Sequence, residues 1–125
     1  MIGEKLTGTM SSPALTTNQW NDPGTITLTP GVWLAFGMLK ISGGGTTQSA
    51  MNVGISSTSG NSEPIGYVSG EITTTAATNR FLNAMPRYFN VSVNTSIYLK
   101  CVSTFTGTAS SVNSAESTFH AVRIA

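Results

Sequence analysis

The sequence predicts an all-β domain, an antiparallel β-sandwich of about eight strands and of the jelly-roll type. Three observations predict it. β-formers dominate and come in blocks of alternating polarity. Turn residues recur roughly every 8 to 12 positions, the spacing of sandwiches and barrels. No segment keeps a 3.6-residue apolar period over several turns.

Short strand-like pieces near 6–10 and 14–20 open the chain. TITLT (25–29) alternates strictly, Ile26 and Leu28 facing one way and the threonines the other. Pro30-Gly31 turns the chain into VWLAFGMLKIS (32–42), the longest run, where Gly37 marks a bulge or a close backbone approach. GGGTTQS (43–49) reads as a loop. It lacks the following Gly-Lys-Ser/Thr that would make it a phosphate cradle.

AMNVGISST (50–58) is the next strand, closed by the turn SGNSEP (59–64) and followed by IGYVSGEIT (65–73) and a polar loop at 74–79. RFLNAMPRYFNVSV (80–93) breaks at Pro86, which has no N–H for an interior ladder. Asn94-Thr95 turns into SIYLKCVSTFT (96–106). Residues 107–114 read as a loop, and ESTFHAVRIA closes the domain. Residues 1–17 read as a lead-in segment and 18–125 as one sandwich domain.

Composition narrows the function. Charged residues make up 9% of the chain, against roughly 25% in an average domain. Solubility then rests on 19 Thr and 16 Ser. The net charge is +1 and the cations are scattered, so no basic stripe exists for nucleic acid. No stretch reaches the ~18 apolar residues of a helical membrane span, and no membrane insertion is expected. Cys101 is the sole cysteine, which excludes an intrachain disulfide.

Titratable groups that make chemistry are scarce. Cys101, His120 and Glu116 are the residue types of a nucleophile, base and orienter. Cys101, however, sits mid-strand on an apolar face and reads as an inert buried thiol. His120 has no ligand-spaced neighbours for a metal. Glu63 and Glu71 flank one strand, a weak basis for a two-carboxylate glycan-modifying enzyme. The sequons at Asn90 and Asn94 are those expected by chance in a Ser/Thr-rich chain. The expectation is no enzyme, no cofactor and no metal.

Binding is easier to place. Trp33, inside a long strand, reads as core, whereas Trp20 and Tyr67 are candidates for exposed ligand contacts. The loops 43–49, 59–63 and 107–114 suit adaptable recognition as well as plain solvated turns. Several strands are apolar on both faces. His120, Val122 and Ile124 oppose Phe119, Ala121 and Arg123, and Tyr98 and Val102 oppose Leu99 and Cys101. A second apolar face predicts a subunit interface, with Tyr98, Val102, Phe119, Val122 and Ile124 as its candidates.

The segments TLTPGVWLAFGMLKI, NVGISSTSG, RYFNVSVNTSIYLKCVSTFTGTASS and STFHAVRIA resemble a module of tailed bacteriophages. It ends tail fibres and tailspikes and occurs in head-fibre or decoration proteins. The resemblance spans roughly residues 18–125 and implies a homotrimeric jelly roll, similar in outline to tumour-necrosis-factor and C1q heads. It implies a virion protein made in a bacterial cytoplasm, with a host-surface glycan or protein, or other capsid and tail proteins, as partner. The alternative to a tail-fibre role is a decoration protein bound to the capsid lattice. Fibre tips follow a long shaft, while about 17 residues precede the module here. An excised domain, an internal start and an independent virion protein all fit that arrangement.

Overall fold

A computed structural model describes residues 1–42, 48–72 and 79–125, with residues 71 and 72 as backbone only. The expected loops at 43–49 and 74–79 fall largely outside it. Among the described residues ten strands are found: β1 (Lys5–Thr7), β2 (Thr9–Met10), β3 (Asn21–Leu28), β4 (Gly31–Ser42) and β5 (Gln48–Ser56), then β6 (Val68–Ile72), β7 (Arg80–Asn83), β8 (Arg87–Val91), β9 (Thr95–Phe105) and β10 (Ser111–Arg123). They form two antiparallel sheets, a β-sandwich. The first sheet runs β1-β10-β4, and β7 and β8 pair end to end along the far edge of β4. The second runs β2-β3-β9-β5-β6.

Alternation decides which side chains meet between the sheets. Trp33, Ala35, Leu39, Phe89, Phe119 and Ala121 point inward from the first sheet. Ile26, Leu28, Val53, Ile55, Ile97, Leu99 and Cys101 point inward from the second. Trp33 is fully buried, as its strand predicts, and its indole N–H donates to the Thr29 carbonyl at 2.9 Å. The break before β8 falls at 84–86, around Pro86 as expected. Gly37 is a close-approach position: a Cβ there would lie 2.9 Å from the Thr118 carbonyl and 3.0 Å from Leu99.

Three boundaries differ from the expectation, each for a local reason. Residues 1–17 are woven into both sheets, because β1 pairs with β10 and β2 with β3. Within that segment Leu15 is buried and its N–H donates to the Ser110 carbonyl, which closes one end of the sandwich. β3 begins at Asn21, since the Asn-Asp-Pro-Gly run is an irregular strand with a register shift between Asn21 and Gly24. β10 begins at Ser111, and residues 114–117 are a bulge opposite Leu39. Ser117 holds that bulge by donating to the Asn113 carbonyl at 2.6 Å and accepting from the Lys40 N–H at 3.0 Å.

The chain terminus is tied down on both sides. Arg123 exchanges backbone hydrogen bonds with Gly3 and Glu4, and Ile124 and Ala125 pair with Val32. The Arg123 guanidinium lies over Gly31, where φ is +150° and a Cβ would come 2.9 Å from Nε. Only glycine combines that backbone conformation with that clearance.

Candidate functional site

The outer face of the first sheet is its most distinctive surface. Cross-strand pairing places Val122 beside Leu34 and Leu34 beside Tyr88, with His120 beside Phe36 one step along. Leu34 is 37% exposed and Tyr88 58%, and Phe36, Phe81 and Met85 are also open to solvent. The Phe36 and His120 rings stand 5.8 Å apart. A depression of about 460 Å³ opens on this face where β7 gives way to β8, lined by Phe36, Gly37, Met38, Asn83, Ala84, Pro86 and Thr118. Lys5 faces Val122 at the rim, and Lys40 lies 5.5 Å from the Phe81 ring.

The outer face of the second sheet has a different chemistry. Thr25, Thr27, Ser96 and Asn52 stand on it, and Thr27 and Ser96 hydroxyls meet at 3.5 Å. Tyr98 lies opposite Thr25 and Ser56, and Val102 opposite Asn52. The five interface candidates therefore divide three ways. Val122 and the exposed Ile124 belong to the apolar face, and Tyr98 and Val102 stand on the other side of the sandwich. Phe119 is 1% exposed, inside the core, so it is not available to a neighbouring chain. In the alternation of ESTFHAVRIA, Phe119 stands on the inward side with Ala121.

Of the two aromatic ligand candidates, Trp20 is held by its backbone and Tyr67 by its ring. Trp20 is half-buried, and its backbone N–H, not its indole, donates to the Asn61 carboxamide oxygen at 2.9 Å. Tyr67 lies beneath the Arg87 guanidinium, 3.8 Å from its ring centre, while Arg87 Nη1 donates to the Ile55 carbonyl at 2.8 Å. That arrangement clips the edge of one sheet to the other. Ser69 adds a second clip by donating to the Asn83 carbonyl at 2.6 Å.

The residues with nucleophile and base chemistry are kept apart. Cys101 is buried in the second sheet, and burial first, then the Asp22 charge, push its thiol up to about 12 against the Lys100 charge. His120 lies on the outer face of the first sheet. Partial burial, then the Lys5 charge, hold its imidazole below the ordinary range, and its Nδ1 lies 3.4 Å from the Thr7 hydroxyl. Glu116 is bound to Lys40 and to the Asn113 amide within the bulge. Glu63 is exposed, and the Glu71 side chain lies outside the described residues.

One buried charge had no counterpart in the sequence reading. Lys100 is 0% exposed, and its ammonium is paired with Asp22 and donates to the Gly60 carbonyl. It alternates with Leu99 and Cys101 and so stands on the outward side of β9, and nothing in the local sequence pattern indicates that residues after β5 cover it. No known protein family matches the chain, and no curated protein matches it either.

Proposed function

We propose that this chain is a non-enzymatic virion module of a tailed bacteriophage, a jelly roll that assembles as a homotrimer in a tail fibre or tailspike and meets the host surface. The jelly-roll reading is supported by strand pairing. β1 lies beside β10, β3 beside β9, β4 beside β7 and β8, and β5 beside β6. That is the pairing of one long hairpin rolled over itself, with its strands shared alternately between two sheets.

The observation that carries the assembly is the apolar outer face of the first sheet. Sandwich sheets of a monomer keep a wet outer face, as the second sheet does here at Thr25, Thr27 and Ser96. Leu34, Phe36, Tyr88, Val122 and Ile124 instead form a run of apolar surface across three strands and the end of β10. Those three strands, spaced ~4.8 Å apart over the stretch of β4 from Gly31 to Met38, project roughly 350 Å². That is about half of one partner's share of a stable interface, about 800 Å², and forms the apolar centre of a contact whose polar rim supplies the rest. A closed ring around a threefold axis covers that face and ends growth. Tyr98 and Val102, on the Thr-rich side, stay outside this interface.

Host recognition, with glycan as the ligand class, is assigned to the loops at the sandwich ends. The test is a glycan array of bacterial surface polysaccharides, probed with the protein and with a Leu34→Glu variant. Saturable binding by the parent, weakened in the variant through lost multivalency, is the expected result. Saturable binding to undecorated capsids with no glycan bound would replace the fibre role with the capsid-decoration role.

A further inference from the structure

Residues 57–66 leave the end of β5, cross the outer face of the second sheet and return at β6. Beneath them lies Lys100, an outward position on β9 that is nevertheless closed to solvent. Lys100 is paired with Asp22 of β3, and Gly60 engages both members of the pair. Its carbonyl accepts from the Lys100 ammonium at 2.9 Å and its N–H donates to the second Asp22 oxygen at 2.8 Å. Gly60 does so at φ +82°, with open space around the position of a Cβ. Asn61 adds the hydrogen bond from Trp20, and Pro64 seats on Gly54, where a Cβ would come 2.5 Å from the proline ring.

Apart from Pro64 the segment buries no apolar side chain, and Ile65 near its tip is 82% exposed. We propose that residues 57–66 are a strap that opens as a unit separate from the sandwich, locked by the clip of Gly60 on the Asp22–Lys100 pair, and that opening bares Lys100. The physical basis is the imbalance between the two sides of the strap. Closing it takes the Lys100 ammonium out of water, which is costly, leaves Asp22 partly exposed and gains a few charge-assisted hydrogen bonds in return. Opening restores water to the pair while Asp22 and Lys100 remain on adjacent strands. The sheet beneath loses no ladder bond. Local opening of this kind lies well below the free energy of global unfolding. The strap carries the turn 59–63 and Ile65, so its state sets how that end of the molecule is presented.

Lysine acylation reads the strap directly. The protein is treated with an acetylating ester at fixed pH, and Lys100 is followed by peptide mapping against exposed Lys5 as internal reference. Lys100 is expected to react about 100-fold more slowly than Lys5 in the parent, the protection of an infrequent local opening. Gly60→Pro removes the clipping N–H and cannot adopt a positive φ. It should narrow the gap to under about 10-fold while leaving the melting temperature within about 2 °C, as for other exposed positions. Asp22→Asn, which removes the charge from the lock, should do the same by an independent route. The inference is overturned if Lys100 of the parent reacts at the rate of Lys5, or if Gly60→Pro leaves it protected. It is also overturned if Lys100 becomes reactive only when the core thiol Cys101 does, because opening would then be global.

Discussion

Replacing Phe119 by alanine separates a core role from an interface role at one residue. Phe119 is buried on the inward side of β10, and two glycines make room for its ring. A Cβ at Gly8 would lie 2.9 Å from the Phe119 Cβ, and one at Gly24 would lie 3.1 Å from its ring. Backbone rather than flexible side chain therefore faces the ring on those sides, so the cavity left by truncation has little to collapse into. Phe→Ala in a core costs about 3–5 kcal/mol, and a site that collapses poorly falls in the upper half of that range. For a domain of this length each kcal/mol moves the melting temperature by roughly 4 °C, which gives a drop of about 15–20 °C. Thermal unfolding followed by circular dichroism, at matched protein concentrations, measures it. A melting temperature within about 3 °C of the parent, together with loss of assembly, would refute the placement of Phe119 in the core.

Other consequences follow from the same geometry. Cys101, with its thiol raised to about 12, should resist a disulfide exchange reagent at pH 8 and react at once in denaturant; rapid labelling of the native protein would contradict its burial. Removing Arg123 to Ala125 deletes the backbone bonds to Gly3, Glu4 and Val32, and should cost about 3 kcal/mol of stability as well as assembly, read by chemical denaturation. Because the His120 imidazole is held below its ordinary range, its stabilising share is fully present above about pH 6.5 and is lost below that, as pH falls through the lower folded-state value. An NMR titration of the ring should give a midpoint below ~6.5, and a higher midpoint would contradict the environment described.

Much of the sandwich was legible because its strands alternate cleanly. β4, β5, β9 and the end of β10 could be read from period-two patterns, and the break at Pro86 from the missing N–H. The edge strands β1 and β2 were legible only as one short strand-like piece near 6–10, and their division between the two sheets was not. They are only a few residues long, and β1 pairs with β10 at the opposite end of the chain while β2 pairs with β3, the next strand, in the other sheet. The start of β10 was hidden by its bulge, where Asn113-Ser114-Ala115-Glu116 reads as a polar loop but is tied into the sheet through Ser117 and Lys40. The second apolar face was visible as strands apolar on both sides. Which sheet carried it was not, since that depends on which strands are neighbours: Leu34, Phe36 and Tyr88 become one surface only through the β10-β4-β8 order. Lys100 was illegible for the same reason, being buried by a segment some 40 residues earlier in the chain.

The central claim is that the outer face of the first sheet holds three copies together, and molar mass by light scattering tests it most directly. The account predicts three times the 13.0 kDa protomer at micromolar concentration. It predicts one protomer, with an unchanged circular dichroism spectrum, for a Leu34→Glu/Tyr88→Glu variant, while a Thr25→Glu variant on the opposite face stays assembled. A parent protein that runs as a clean monomer, or a Leu34→Glu/Tyr88→Glu variant that remains trimeric, would contradict it.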